Sequence, residues 1–184
     1  MHIANNFYLV IDVEATCSDD GSVPRNEMEI FEIGAVMADS RTLQVVSEFQ
    51  TFISPVRNPD LTSFCTQLTG ITQDDLREAP DFPRALEEMQ KWMHPFGDFL
   101  FCSWGDYDRS QFIRDCEFHR VDYPFRSGHL NLKAEFSNVF SLRKKLGVVE
   151  ALKHLGLKFQ GSHHRGIDDA RNITRILQHV RTGG

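Results

Sequence analysis

Phe7-Tyr8-Leu9-Val10-Ile11-Asp12-Val13-Glu14-Ala15-Thr16-Cys17 is the stretch on which the reading of this chain turns. Residues 7–13 form an apolar and β-branched run, the pattern of a buried strand. Asp12 and Glu14 then arrive at its end. A strand repeats every two residues, so both carboxylates point to one face. Side by side on an apolar strand they are costly to bury, and each raises the other's pKa. A hard divalent cation such as Mg²⁺ or Mn²⁺ relieves both problems with oxygen ligands. Two solvated acids at a strand end fit the same string, and Asp-x-Glu alone does not separate the two.

Working outward, residues 18–26 are polar with Gly and Pro and predict a loop. Residues 28–38 predict a second strand and 43–53 its hairpin partner, with the turn at 39–42. Pro55 and Pro59 end the sheet there. Residues 61–68 predict a helix closing at Gly70, and Thr72 with Asp75 opens another helical turn. Residues 83–93 carry Leu86, Met89, Trp92 and Met93 at helical spacing. A short strand over 98–103 and a helix over 106–118 follow, then helices over 146–155 and 168–180. This order predicts a mixed α/β layer fold.

The chain has 184 residues, 41% hydrophobic and 25% charged. These values fit a single domain over 1–184 with its core at about 7–180. No apolar run approaches the length of a membrane helix, and residues 1–8 lack the pattern of a signal peptide. The four cysteines, Cys17, Cys65, Cys102 and Cys116, form no CxxC pair. They predict reduced thiols in a cytosolic-type compartment, with the nucleus open in a eukaryote, and no zinc site. Net charge is −6, yet residues 141–184 hold nine Lys/Arg against three Asp/Glu. A basic segment beside an acidic site predicts a footprint for a phosphate backbone, with Lys144 and Lys145 as its test positions.

Two further segments carry acids. Ser103-Trp104-Gly105-Asp106-Tyr107-Asp108 follows the short strand, and Asp106 is a reasonable helix N-cap. Either Asp106 or Asp108 can reach a neighbouring site. Gly161-Ser162-His163-His164-Arg165-Gly166-Ile167-Asp168-Asp169 brings two histidines and two more acids to the last helix. An imidazole there can take a proton near neutral pH.

Taken in order, Ile11-Asp12-Val13-Glu14-Ala15-Thr16-Cys17, Phe64-Cys65-Thr66-Gln67-Leu68-Thr69-Gly70-Ile71-Thr72, Trp104-Gly105-Asp106-Tyr107-Asp108 and His164-Arg165-Gly166-Ile167-Asp168-Asp169 resemble the DEDDh family of 3′→5′ exonucleases, and within it the Eri-type RNA exonucleases. The resemblance implies a ribonuclease H-like mixed sheet flanked by helices. It implies two Mg²⁺ or Mn²⁺ ions held by Asp12, Glu14, Asp108 and Asp169, with Glu14 and His164 catalytic and His164 the general base. Family spacing selects Asp108 over Asp106, Asp169 over Asp168, and His164 over His163. Phe64 falls at a base-stacking position, and Tyr107 where the family more usually has Trp. Glu14, Ala15, Thr16 and His164 would complete the contacts to the terminal nucleotide. The implied reaction releases nucleoside 5′-monophosphates from single-stranded 3′ ends, RNA preferred, by two-metal in-line displacement. DNA is the alternative substrate. An inactive nucleic-acid-binding module is the other alternative, and it would be expected to lack one of the five acidic and histidine positions.

Overall fold

The computed structural model describes residues 5–183. Five strands form one mixed sheet in the order β3-β2-β1-β4-β5. The strands are β1 (Phe7–Ala15), β2 (Ile30–Asp39), β3 (Val45–Phe52), β4 (Phe99–Ser103) and β5 (His129–Asn131). β1, β2 and β3 pair antiparallel, while β4 and β5 join in parallel. Seven helices flank the sheet: α1 (Ser63–Thr69), α2 (Gln73–Leu76), α3 (Phe82–Met93), α4 (Tyr107–His119), α5 (Leu132–Val139), α6 (Val148–His154) and α7 (Gly166–Thr182). A short 3₁₀ turn over His94–Phe96 leads into β4.

The two-residue repeat of β1 sorts the core. Leu9, Ile11 and Val13 pack on one face with Phe82, Met89 and Phe112 from α3 and α4. Tyr8 and Val10 pack on the other with Leu132 and Phe136 of α5, Leu152 of α6, and Ile173, Ile176 and Leu177 of α7. Asp12 and Glu14 continue this second series, so they emerge on the α7 face.

Local signals place most helix starts. The Thr62 hydroxyl accepts from Cys65 N–H, and Gly70 closes α1 in the left-handed region. Thr72 and Asp75 form a capping box on α2, and Asp81 caps α3 through Arg84 N–H. Asp106 behaves differently: it holds the N-cap position of α4 but its side chain makes no cap bond. It accepts instead from Asn131 Nδ2 at 2.9 Å, tying β5 to the start of α4.

The structure corrects two expectations. β5 and α5 lie in a stretch the sequence reading left empty. α7 begins at Gly166, two residues before the predicted start, because Glu32 satisfies its first N–H from outside the helix. Of the nine basic residues after residue 140, four take part in ion pairs formed among the described residues. Arg165 pairs with Glu32, Arg171 with Glu48 and Asp168, and Arg181 with Glu135. Lys144 reaches Glu150 at 3.7 Å.

Candidate active site

Asp12, Val13, Glu14, Trp104, Tyr107, Asp108, Val148, His163, His164 and Asp169 line one cleft of about 210 Å³. β1 supplies Asp12 and Glu14, α4 supplies Asp108 from its first turn, and α7 supplies Asp169 from its first turn. Carboxylate oxygens of Asp12, Glu14 and Asp169 lie within 4.8 Å of one another. Asp108 sits in the same cleft but outside that cluster. Its Oδ1 accepts Val13 N–H at 3.1 Å, which fixes the carboxylate against β1.

A glycine contact sets the spacing. Gly34 is the register partner of Asp12 on β2. A side chain at Gly34 would occupy the backbone of Gly166 and Ile167, and one at Gly166 would lie 3.0 Å from Asp12 O and Gly34 N. Two glycines thus let α7 dock with its first turn directly on the β1–β2 pair. Asp169, three residues further along, lands beside Asp12 and Glu14.

The electrostatics are those of crowded acids. Burial first, and then the charges of Asp108, Glu14 and Asp169, push Asp12 well above the usual carboxylate range. Burial and then Asp169 and Glu32 push Glu14 to about 9. Burial raises Asp169 to about 7 against the His164 and Arg165 N–H donors, and Asp108 to about 6 against Val13 N–H. A cluster that resists ionisation is a site built for cations. The oxygen-only donor set fits Mg²⁺ or Mn²⁺ rather than a softer metal.

Both histidines reach the cleft. His164 takes a left-handed backbone, φ 64°, and its N–H donates to Asp169 Oδ2 at 2.7 Å. His163 Nε2 lies 3.6 Å from Asp169 Oδ1, and the two rings are 3.9 Å apart. Burial holds both imidazoles below their ordinary pKa. Phe64 is half-buried on α1, outside the core clusters, and Tyr107 is 45% exposed at the start of α4. Thr16 is nearly fully buried, and its hydroxyl accepts Glu29 N–H while its N–H donates to Glu29 O. Those two groups serve the turn into β2.

Glu32 is the residue that sequence reasoning missed. It is fully buried on β2, opposite Glu14, and accepts from Gly166 N–H at 2.9 Å, Gln50 Nε2 at 2.6 Å and the Arg165 guanidinium. An acid in an apolar strand, Ile30-Phe31-Glu32-Ile33, was the available signal. Glu29 is a second buried acid, and it gathers the N–H groups of Val56, Arg57 and Asn58 behind α1.

A family profile described as exonuclease matches residues 9–177. The chain belongs to this exonuclease family. Human 3'-5' exoribonuclease 1 is 33% identical over 194 aligned positions, covering all of this chain and 55% of the relative. Human ERI1 exoribonuclease 3 is 33% identical, covering 94% of this chain and 53% of the relative. The chain therefore spans about half the length of these curated relatives. The nuclease domain of 3'hExo, a DEDDh family member solved with bound rAMP, superposes with a TM-score of 0.91 at 30% identity, covering 100% of this chain and 96% of that one. The expected DEDDh resemblance and ribonuclease H-like fold are borne out. Exonucleases of this family depend on divalent metal, and the acidic cluster that would hold it is present. Among the described residues, no helix is long and apolar enough to cross a membrane.

Proposed function

We propose that this domain is a metal-dependent 3′→5′ exonuclease that releases nucleoside 5′-monophosphates from single-stranded RNA ends. The observation that carries the reading is the meeting of Asp12, Glu14 and Asp169 oxygens within 4.8 Å in a histidine-walled cleft. Four crowded carboxylates match the charge of two divalent ions, which Asp12, Glu14 and Asp169 would hold together with Asp108. Bound Mg²⁺ or Mn²⁺ would supply Lewis-acid activation of water and stabilisation of the departing oxygen.

The chain's own groups supply the rest. His164, kept neutral by burial, accepts the proton of the attacking water. Glu14 and Ala15 meet the terminal sugar at the end of β1. Phe64 and Tyr107 offer the faces on which a splayed base stacks, worth roughly 1–3 kcal/mol per base without reading sequence. The RNA preference rests on the exoribonuclease relatives.

The test is digestion of 3′-labelled and 5′-labelled RNA and DNA oligonucleotides with Mg²⁺, with Asp12→Ala as control. Mononucleotides should leave from the 3′ end, faster from RNA. Internal cuts, or an active Asp12→Ala protein, would overturn the reading.

A further inference from the structure

On the other side of the first turn of α4 lies a larger hollow, of about 510 Å³. Its walls include Asp106, Arg109, Tyr123, Arg126, His129 and Asn131. We propose that this hollow binds a backbone phosphodiester of the nucleic-acid strand, upstream of the nucleotide being removed. Arg109 and Arg126 would be its charge partners and the Tyr123 hydroxyl its neutral donor. The choice of a strand as ligand rests on the exonuclease reading above.

Three observations carry it. First, Arg109 and Arg126 take part in none of the ion pairs formed among the described residues. Arg171 and Arg181 of α7 are neutralised within the fold, whereas Arg109 and Arg126 line one hollow without a carboxylate partner. A guanidinium fork matches phosphate oxygens better than any other side chain. Second, the Tyr123 hydroxyl is sealed from solvent beside the Arg109 side chain and makes no hydrogen bond of good geometry. Leaving such a group unpaired costs about 1–3 kcal/mol, and an acceptor brought by a ligand removes that cost. Burial raises the phenol against the nearby Arg109 charge, so it stays a donor at neutral pH.

Third, the acid of the hollow is already engaged. Asp106 Oδ2 accepts from Asn131 Nδ2 at 2.9 Å, and Oδ1 faces His129 Nδ1 at 3.8 Å. His129 is fixed from its other side, with Nε2 2.9 Å from Ser103 Oγ, and burial holds it below its ordinary pKa. Two arginines against one aspartate leave the wall net positive. The position also suits a strand. Tyr107 and Asp108 line the catalytic cleft while Asp106 and Arg109 line the hollow, so the two open on different faces of the same first turn of α4.

The experiment compares wild type, the Arg109→Ala/Arg126→Ala double variant and Tyr123→Phe. The probes are a labelled RNA decanucleotide and a dinucleotide, whose one phosphate is the scissile one. Binding is read by fluorescence anisotropy in EDTA, and hydrolysis is read separately in Mg²⁺. The double variant should bind the decanucleotide about tenfold more weakly, with a salt slope smaller by roughly one to two units. Tyr123→Phe should weaken it severalfold, with a melting temperature no lower than that of wild type. Hydrolysis of the dinucleotide should keep its kcat/KM within twofold in both variants. Unchanged decanucleotide binding, or equal losses on both lengths, would overturn the proposal. Inorganic phosphate that competes in wild type but not in the double variant, with length dependence untouched, would assign the hollow to a free anion and also overturn it. A wild type that binds the decanucleotide through these residues yet hydrolyses neither probe would remove the exonuclease reading and leave the binding site standing.

Discussion

Glu32 on β2 accepts the first helical N–H of α7, from Gly166, at 2.9 Å, from a position 134 residues earlier in the chain. One carboxylate therefore caps the helix that carries Asp169, holds the Arg165 guanidinium beside His164, and adds negative charge next to Glu14. Glu32→Gln should destabilise the protein by about 1–3 kcal/mol, roughly 3–10 °C in Tm for a chain of this size. Because the loss loosens the Asp169–His164 turn, kcat should fall more than KM rises. Thermal melts and steady-state kinetics check both, and a variant with native Tm and kcat would end the positioning role.

Gly34→Ala tests the docking of α7. The new methyl group would enter the Gly166–Ile167 backbone, so the helix must shift. Overpacking of this kind costs about 1–3 kcal/mol or more. Asp169 moves with the helix, so the Mg²⁺-induced rise in Tm should shrink as well. Full metal-induced stabilisation in a folded Gly34→Ala protein would contradict the contact.

The acidic cluster makes stability depend on pH. Carboxylates in the unfolded chain ionise near 4, while folded Asp169 and Glu14 are held at about 7 and about 9. Between these values the folded state binds more protons than the unfolded one, so stability falls as pH rises through that window. Metal-free protein should melt lower at pH 8 than at pH 5, and Mg²⁺ should restore more at pH 8. Asp12→Asn should raise the metal-free Tm at pH 8 and abolish the Mg²⁺ shift together with activity. A pH-independent Tm in EDTA would refute this account.

The histidines can be separated by rate. His164→Ala should lower kcat by about 10²–10⁴, the usual contribution of a general base, while keeping the Mg²⁺-induced shift in Tm. His163→Ala should cost less than tenfold. The reverse ranking would make His163 the base, through the ring that lies 3.6 Å from Asp169.

Much of this site was readable from the chain alone, because strand and helix periodicity act locally. Alternation along β1 put Asp12 and Glu14 on one face, and Gly70 and Thr72 with Asp75 marked the end of α1 and the start of α2. β5 was not readable: His129-Leu130-Asn131 is too short to show a period, and it is a strand because β4 offers a parallel edge. α5 follows from it, capped by Asn131 of that same strand.

The sequence by itself determined which acids exist at which spacing, and hence the family and the composition of the site. Only the tertiary structure decided how they meet. Gly34 against Gly166 and Glu32 on the α7 N-terminus are contacts between segments more than 130 residues apart. No local period encodes such pairs, since they arise when the β2 surface and the start of α7 must bury each other. The same packing paired Arg165, Arg171 and Arg181 internally, partners that the charge count of residues 141–184 does not reveal.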